Sequence, residues 1–278
     1  MLSTSCISSL SWLRNIDGRV TMKARVFALG CHPDDIEFMM GGTLFLLRDA
    51  GCELHYMNLA NGSCGTAEHS VEDIVRIRRN EARKAADVLG AEYYESLVND
   101  VEVFYTNELI RRMTAIIREI QPDIMLIPSL EDYMEDHMNT CRVAVSAAFY
   151  RGMRNYNSFP PVEPIHRDVV LYHALPYGLT DGVRRRILPD FYLDVTSVLE
   201  QKEQMLACHV SQKEWLDMSQ GLDAYLITMR EMSEEVGRMS GRFRYAEGWR
   251  RHSHLGYSGQ EIDPLHDMLK DYCSFHEV

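Results

Sequence analysis

Four short apolar runs that read as strands, at 25–29, 53–59, 92–96 and 123–127, alternate with stretches of helical periodicity at 42–49, 71–89, 107–120 and 138–150. Parallel strands need a crossover to return the chain to the same end of a sheet, and a helix is the usual crossover. The alternation therefore predicts βαβ units in an α/β, Rossmann-like fold, with a mostly parallel sheet and helices on both faces. Runs at 169–173 and 191–195 offer two later strands. Pro160, Pro161 and Pro164 mark a loop before the C-terminal part, which reads mainly as helical from Ser197 onward. Residues 237–257 are too polar and interrupted to assign. With no linker, repeat or low-complexity segment, 22–278 is expected to be one domain. A 46% hydrophobic content in 278 residues is enough for a substantial core.

The first strand leads directly into Cys31-His32-Pro33-Asp34-Asp35-Ile36-Glu37. In an open α/β sheet, function gathers where the carboxyl ends of strands meet the following loops. An imidazole and a carboxylate three residues apart can converge on one divalent cation, which makes His32 and Asp35 candidate ligands and leaves Asp34 beside the metal. Catalytic zinc commonly takes three protein ligands and keeps one position open. His137 supplies a third, in the loop Glu131-Asp132-Tyr133-Met134-Glu135-Asp136-His137 after the fourth strand. A plainer reading makes the histidines ordinary polar residues near helix starts and the acids helix N-caps. Two such loops, each after a parallel strand, favour the metal.

These residues carry a resemblance. The chain resembles the PIG-L/LmbE-like zinc-dependent N-acetylglucosaminide deacetylases, through His32-Pro33-Asp34-Asp35, Glu37 and Gly41-Gly42-Thr43, and through a second signature on Asp132 to His137. Weaker echoes are Arg78-Arg79-Asn80-Glu81-Ala82, Lys202, His209-Val210-Ser211-Gln212 and Tyr245-Ala246-Glu247. The resemblance implies an LmbE-like fold, one zinc ion on His32, Asp35 and His137, and Asp34 as general base in releasing acetate from an N-acetylglucosamine-type amide. It also implies that Arg78 helps hold substrate, and it suggests a homo-oligomer, a trimer or hexamer. Iron, nickel or cobalt could stand in for zinc.

Met134 departs from the second signature, where the family has a histidine thought to stabilise the oxyanion or protonate the leaving amine. A thioether does neither. His209, His252 and His254 are therefore candidate general acids. Met134 also keeps open a catalytically impaired module that binds metal and sugar. A third reading is an unrelated nucleotide-binding fold whose acidic loops take Mg²⁺ through phosphates, but histidine ligation argues for zinc or a late transition metal.

The net charge of −12 argues against nucleic acid or an anionic membrane surface as partner, apart from local patches such as Arg184-Arg185-Arg186. No segment approaches the ~20 apolar residues of a membrane span. Seven scattered cysteines without a Cys-x-x-Cys pair fit reduced thiols in a cytoplasm. Residues 1–21 are serine-rich and lack the basic and apolar regions of a signal peptide. They are expected to be a poorly ordered extension, with translation starting at Met22.

Overall fold

A computed structural model describes residues 23–213 and 224–276, so the expected extension and the start at Met22 lie outside the described residues. Strands β1 (Arg25–Gly30), β2 (Glu53–Asn58), β3 (Glu92–Tyr94), β4 (Ile124–Ile127) and β5 (Val170–Ala174) pair in parallel. Helices α1 (Asp35–Asp49), α2 (Val71–Leu89), α3 (Asn107–Ile120) and α4 (Glu135–Tyr150) alternate with the first four strands. The later strands β6 (Phe191–Asp194), β7 (Ala246–Arg251) and β8 (Cys273–Phe275) pair antiparallel, giving the order β3-β2-β1-β4-β5-β7-β6-β8. Helices α5 (Leu199–Leu206), α6 (Ala224–Met239) and α7 (Pro264–Leu269) complete the C-terminal part.

Alternation along β1 divides the core. Val26 and Ala28 pack in the cluster that contains Met40, Leu44 and Leu47 of α1 and Ala85 and Leu89 of α2. Phe27 and Leu29 pack in the other, with Met113 and Ile117 of α3 and Ala144 and Ala147 of α4. Because β1 is hydrogen-bonded to β2 on one side and β4 on the other, the chain reverses its strand order there. The loops leaving β1 and β4 therefore meet at a topological switch point.

Two helices begin earlier than periodicity suggests. α1 starts at Asp35 and passes through Gly41 and Gly42, each of which costs about 1 kcal/mol against alanine in a helix. Gly42 is required by packing, since a Cβ there would lie 2.5 Å from Val195 Cγ1. α4 starts at Glu135, which places Asp136 and His137 on its first turn.

The C-terminal part also contributes a strand that the sequence leaves unassigned. β7 reads Ala-Glu-Gly-Trp-Arg-Arg, yet its first four residues are buried between β5 and β6. Its polar groups are paired inside. Glu247 accepts from the backbone N–H groups of Gly42 and Thr43, both at 2.8 Å, and from Lys202 Nζ at 2.7 Å. Trp249 Nε1 donates to Thr43 Oγ1 at 3.0 Å. Buried polar groups satisfied in this way do not give the apolar alternation by which strands are recognised.

Candidate active site

The loops after β1 and β4 bring three donor atoms together. His32 Nδ1 is 3.2 Å from His137 Nε2, Asp35 Oδ2 is 3.4 Å from His137 Nε2, and His32 Nδ1 is 3.9 Å from Asp35 Oδ2. Four-coordinate zinc with bonds of ~2.0–2.1 Å separates its ligand atoms by about 3.3 Å, so this donor set fits such an ion. Cys31 Sγ is in the same cluster. Burial, reinforced by Asp35, raises this thiol well above its usual range.

Carboxylates fix the rings. His32 Nε2 pairs with Asp136 Oδ2 at 3.2 Å and His137 Nδ1 with Asp132 Oδ2 at 3.1 Å. Each acid holds the proton on the outer nitrogen and leaves the inner lone pair free for a cation. Burial opposes protonation of both histidines, but the surrounding carboxylates outweigh it: His32 is raised, and His137 is raised to about 9, chiefly by Asp35. Asp35 is lowered despite burial, by the two imidazoles and by the N–H groups of His32 and Cys31, which its Oδ2 accepts at 2.8 and 3.0 Å.

Asp34 sits between His32 and Asp35 in a left-handed backbone conformation, φ 115°. Such a geometry in a non-glycine residue costs of order 1–3 kcal/mol and needs support from its surroundings. Asn58 Nδ2 donates to His32 O at 2.7 Å, and Arg78 Nη2 donates to Pro33 O. The Asp34 carboxylate accepts from Tyr225 OH at 2.8 Å and lies 3.5 Å from Arg78. Burial raises its pKa above the usual carboxylate value, against the opposing pull of Arg78.

His32, Asp34, Asp35, Arg78, Asp132, Asp136 and His137 line one cavity of about 630 Å³, together with Phe38, Tyr133, Met134, Tyr177 and Tyr225. A family profile described as PIG-L: GlcNAc-PI de-N-acetylase matches residues 27–148, the stretch that holds both loops. Over that stretch the chain is similar to the PIG-L family. Diacetylchitobiose deacetylase of Thermococcus kodakarensis is 29% identical to it over 232 residues, 81% of this chain and 82% of that protein. 4-Oxalmesaconate hydratase of Pseudomonas putida is 26% identical over 201 residues, 69% of this chain and 76% of that protein. The solved structure of N,N'-diacetylchitobiose deacetylase from Pyrococcus horikoshii superposes with a TM-score of 0.70 at 26% identity, covering 88% of each chain.

Within the matched stretch, His32, Asp34, Asp35 and His137 are brought together, and Arg78 reaches the cavity from beneath. Arg78 is no solvated helix residue. It is buried under the loop 61–66, where a Cβ on Gly62 would lie 2.5 Å from its Cδ, and it grips the Pro33–Asp34 turn. The candidate acids fare differently, since His209, His252 and His254 are not among the cavity's lining residues. His209 is fully buried behind the site, 3.1 Å from Glu37 Oε1. His252 Nδ1 is paired with His173 Nε2 at 2.9 Å. The backbone carbonyl of His254 caps the turn to Tyr257 and Ser258. The sequence reading gave no role to Asp132 and Asp136 as holders of the imidazoles, or to Tyr225 as the partner of Asp34. Both acids lie within the second signature and could have been found there; nothing local marks Tyr225.

Proposed function

We propose that the chain is a zinc-dependent hydrolase that removes the acetyl group from an N-acetylglucosamine-type amide, with the ion held by His32, Asp35 and His137. The observation that carries this reading is the convergence of those three donor atoms at one end of a cavity, with the Asp34 carboxylate beside them. The deacetylase relatives support the reaction type. When bound, zinc supplies a Lewis acid that polarises the amide carbonyl and makes water acidic near neutral pH.

Asp34 takes the proton of the attacking water. Its raised pKa suits a carboxylate that accepts a proton and then returns it to the leaving amine, and the hydrogen bond from Tyr225 orients it. Arg78, through Pro33 O, keeps the carboxylate in place. Met134 brings no donor to the developing oxyanion. Tyr133 stands on the same wall, edge-on to His137 with ring centres 5.8 Å apart, and its phenol, protonated at neutral pH, is the donor we assign there. Six cysteines without a disulfide partner among the described residues support a reducing, cytoplasmic setting. None of the described helices is long and apolar enough to cross a membrane.

The test is acetate release from a panel of N-acetylglucosamine conjugates by zinc-loaded protein, with Asp34→Asn and His137→Ala alongside. Turnover that both substitutions abolish, with zinc retained in Asp34→Asn, is the expected result. Metal-loaded protein inert toward every acetamide overturns the reading.

The hydratase relative favours one second reading, addition of water to the double bond of an unsaturated carboxylic acid by the same base. Loss of conjugated absorbance on incubation with such acids checks it.

A further inference from the structure

The cavity wall is built for something less polar than a bare amino sugar. Four aromatic rings form an arc that runs from the ligand His137 to the base Asp34. Tyr133 meets Tyr177 with ring centres 6.1 Å apart, Tyr177 meets Phe38 at 5.7 Å, and Phe38 meets Tyr225, whose hydroxyl holds Asp34, at 5.2 Å. Met134 extends the same apolar surface to the first turn of α4. Val101 and Phe104, from another segment of the lining, leave large apolar side chains 69% and 61% exposed. Apolar groups left in water at the mouth of a reaction site point to an apolar partner.

A second observation is independent of the arc. Val101 has φ 59°, a left-handed conformation that β-branched residues almost never adopt. The strain is held by its N–H, which donates to Asp136 Oδ2 at 2.7 Å, so this backbone is tied to the carboxylate that orients His32. Glycine or asparagine would sit there more easily. Strained residues of this kind gather where a ligand is clamped.

We infer that the site selects amides whose amino sugar carries an apolar substituent about the size of a phenyl ring or a short alkyl chain, seated against Tyr133, Met134, Tyr177, Val101 and Phe104. This rests on the amide-hydrolase reading, and the bare sugar serves as its internal control. The experiment compares kcat/KM of zinc-loaded protein for N-acetylglucosamine and for its phenyl and octyl β-glycosides. The expected result is a preference of at least about tenfold for the glycosides, expressed in KM, because such selectivity comes from burying the added apolar group. Tyr177→Ser and Val101→Asn should bring the ratio toward one. Val101→Asn also relieves backbone strain, so it is expected to fold. A wild-type ratio near one, with both classes turned over, overturns the inference and leaves the hydrolase reading intact. Absence of turnover with all three compounds overturns the hydrolase reading instead. Calorimetric binding of glucosamine and phenyl β-glucosaminide to the zinc-loaded protein then decides the inference: at least tenfold tighter binding of the phenyl compound supports it, and equal affinity overturns it.

Discussion

His32 Nδ1 and His137 Nε2 face each other at 3.2 Å, while the outer nitrogen of each ring is held by a carboxylate. Two lone pairs at that distance, with Asp35 Oδ2 close to both, call for a cation or a proton between them. Without metal, His137 is raised to about 9 and is therefore protonated at pH 7. Zinc requires the neutral ring, so binding at pH 7 should expel a proton, and apparent affinity should fall as pH drops from 8 to 6. Calorimetry in two buffers of different protonation enthalpy measures that release; identical heats would count against it. Asp132→Ala should weaken metal affinity about 10- to 100-fold by freeing the His137 ring.

Much of this site was legible because His32 and Asp35 lie three residues apart and His137 falls in a second acidic loop, each loop following a predictable strand. The parallel half of the sheet was legible for the same reason: apolar runs such as Ile124–Ile127 are buried on both faces. The weaker echoes were visible one by one, but their meaning lies in contacts across the chain. Lys202 and Glu247 meet Gly42 and Thr43, while Glu81 receives both the N–H and the hydroxyl of Ser211, at 2.8 and 2.7 Å. No local periodicity encodes a partner 130 or 205 positions away. The same limit explains the placement of the candidate acids. Histidines were judged by chemistry alone, and burial put His209 behind the site.

The Lys202–Glu247 pair is almost completely buried, so removing one member should be far worse than removing both. Lys202→Met leaves Glu247 charged, with only the two backbone donors, and is expected to cost about 3–5 kcal/mol. In Lys202→Met/Glu247→Gln the uncompensated charge is gone, and the amide oxygen can still accept from Gly42 or Thr43. Urea unfolding of the two single variants and the double variant should therefore show strong non-additivity. Additive losses would mean that the pair does not act as a unit.

His173 gives the fold a defined acid sensitivity. Burial lowers its pKa to about 4; its hydrogen bond to Pro128 O at 3.1 Å opposes this, while His252 and Arg250 add to the lowering. Cys141 Sγ lies 3.4 Å from the same Nδ1, and His252 Nδ1 lies 2.9 Å from Nε2. The unfolded chain takes up the proton near pH 6.5, and the folded one resists until about 4. The stability from this group is complete above 6.5 and is lost between those values, amounting to about 3 kcal/mol. Urea midpoints measured from pH 7 to 4 should fall less steeply in His173→Gln than in the wild type. Parallel curves would place the acid sensitivity elsewhere.

On the proposed amide-hydrolase reading, catalytic strength turns on Met134. It occupies the N-cap of α4 with no side-chain hydrogen bond, and its N–H donates to Asp132 Oδ1 at 3.0 Å, so the backbone there is fixed by the acid that holds His137. A histidine built on that backbone would face the cavity with no change in helix geometry. General acid or oxyanion donors at such positions contribute about 10²–10⁴-fold. With Tyr133 as the one proposed donor on that wall, Met134→His should raise kcat for N-acetylglucosamine conjugates by at least about tenfold. It should also reduce the preference for apolar glycosides, because a polar ring replaces part of the wall. Steady-state kinetics on matched sugar and glycoside substrates reads both effects. An unchanged kcat would mean that Tyr133 or another group already supplies the full proton and charge stabilisation, and that Met134 contributes only to the shape of the pocket.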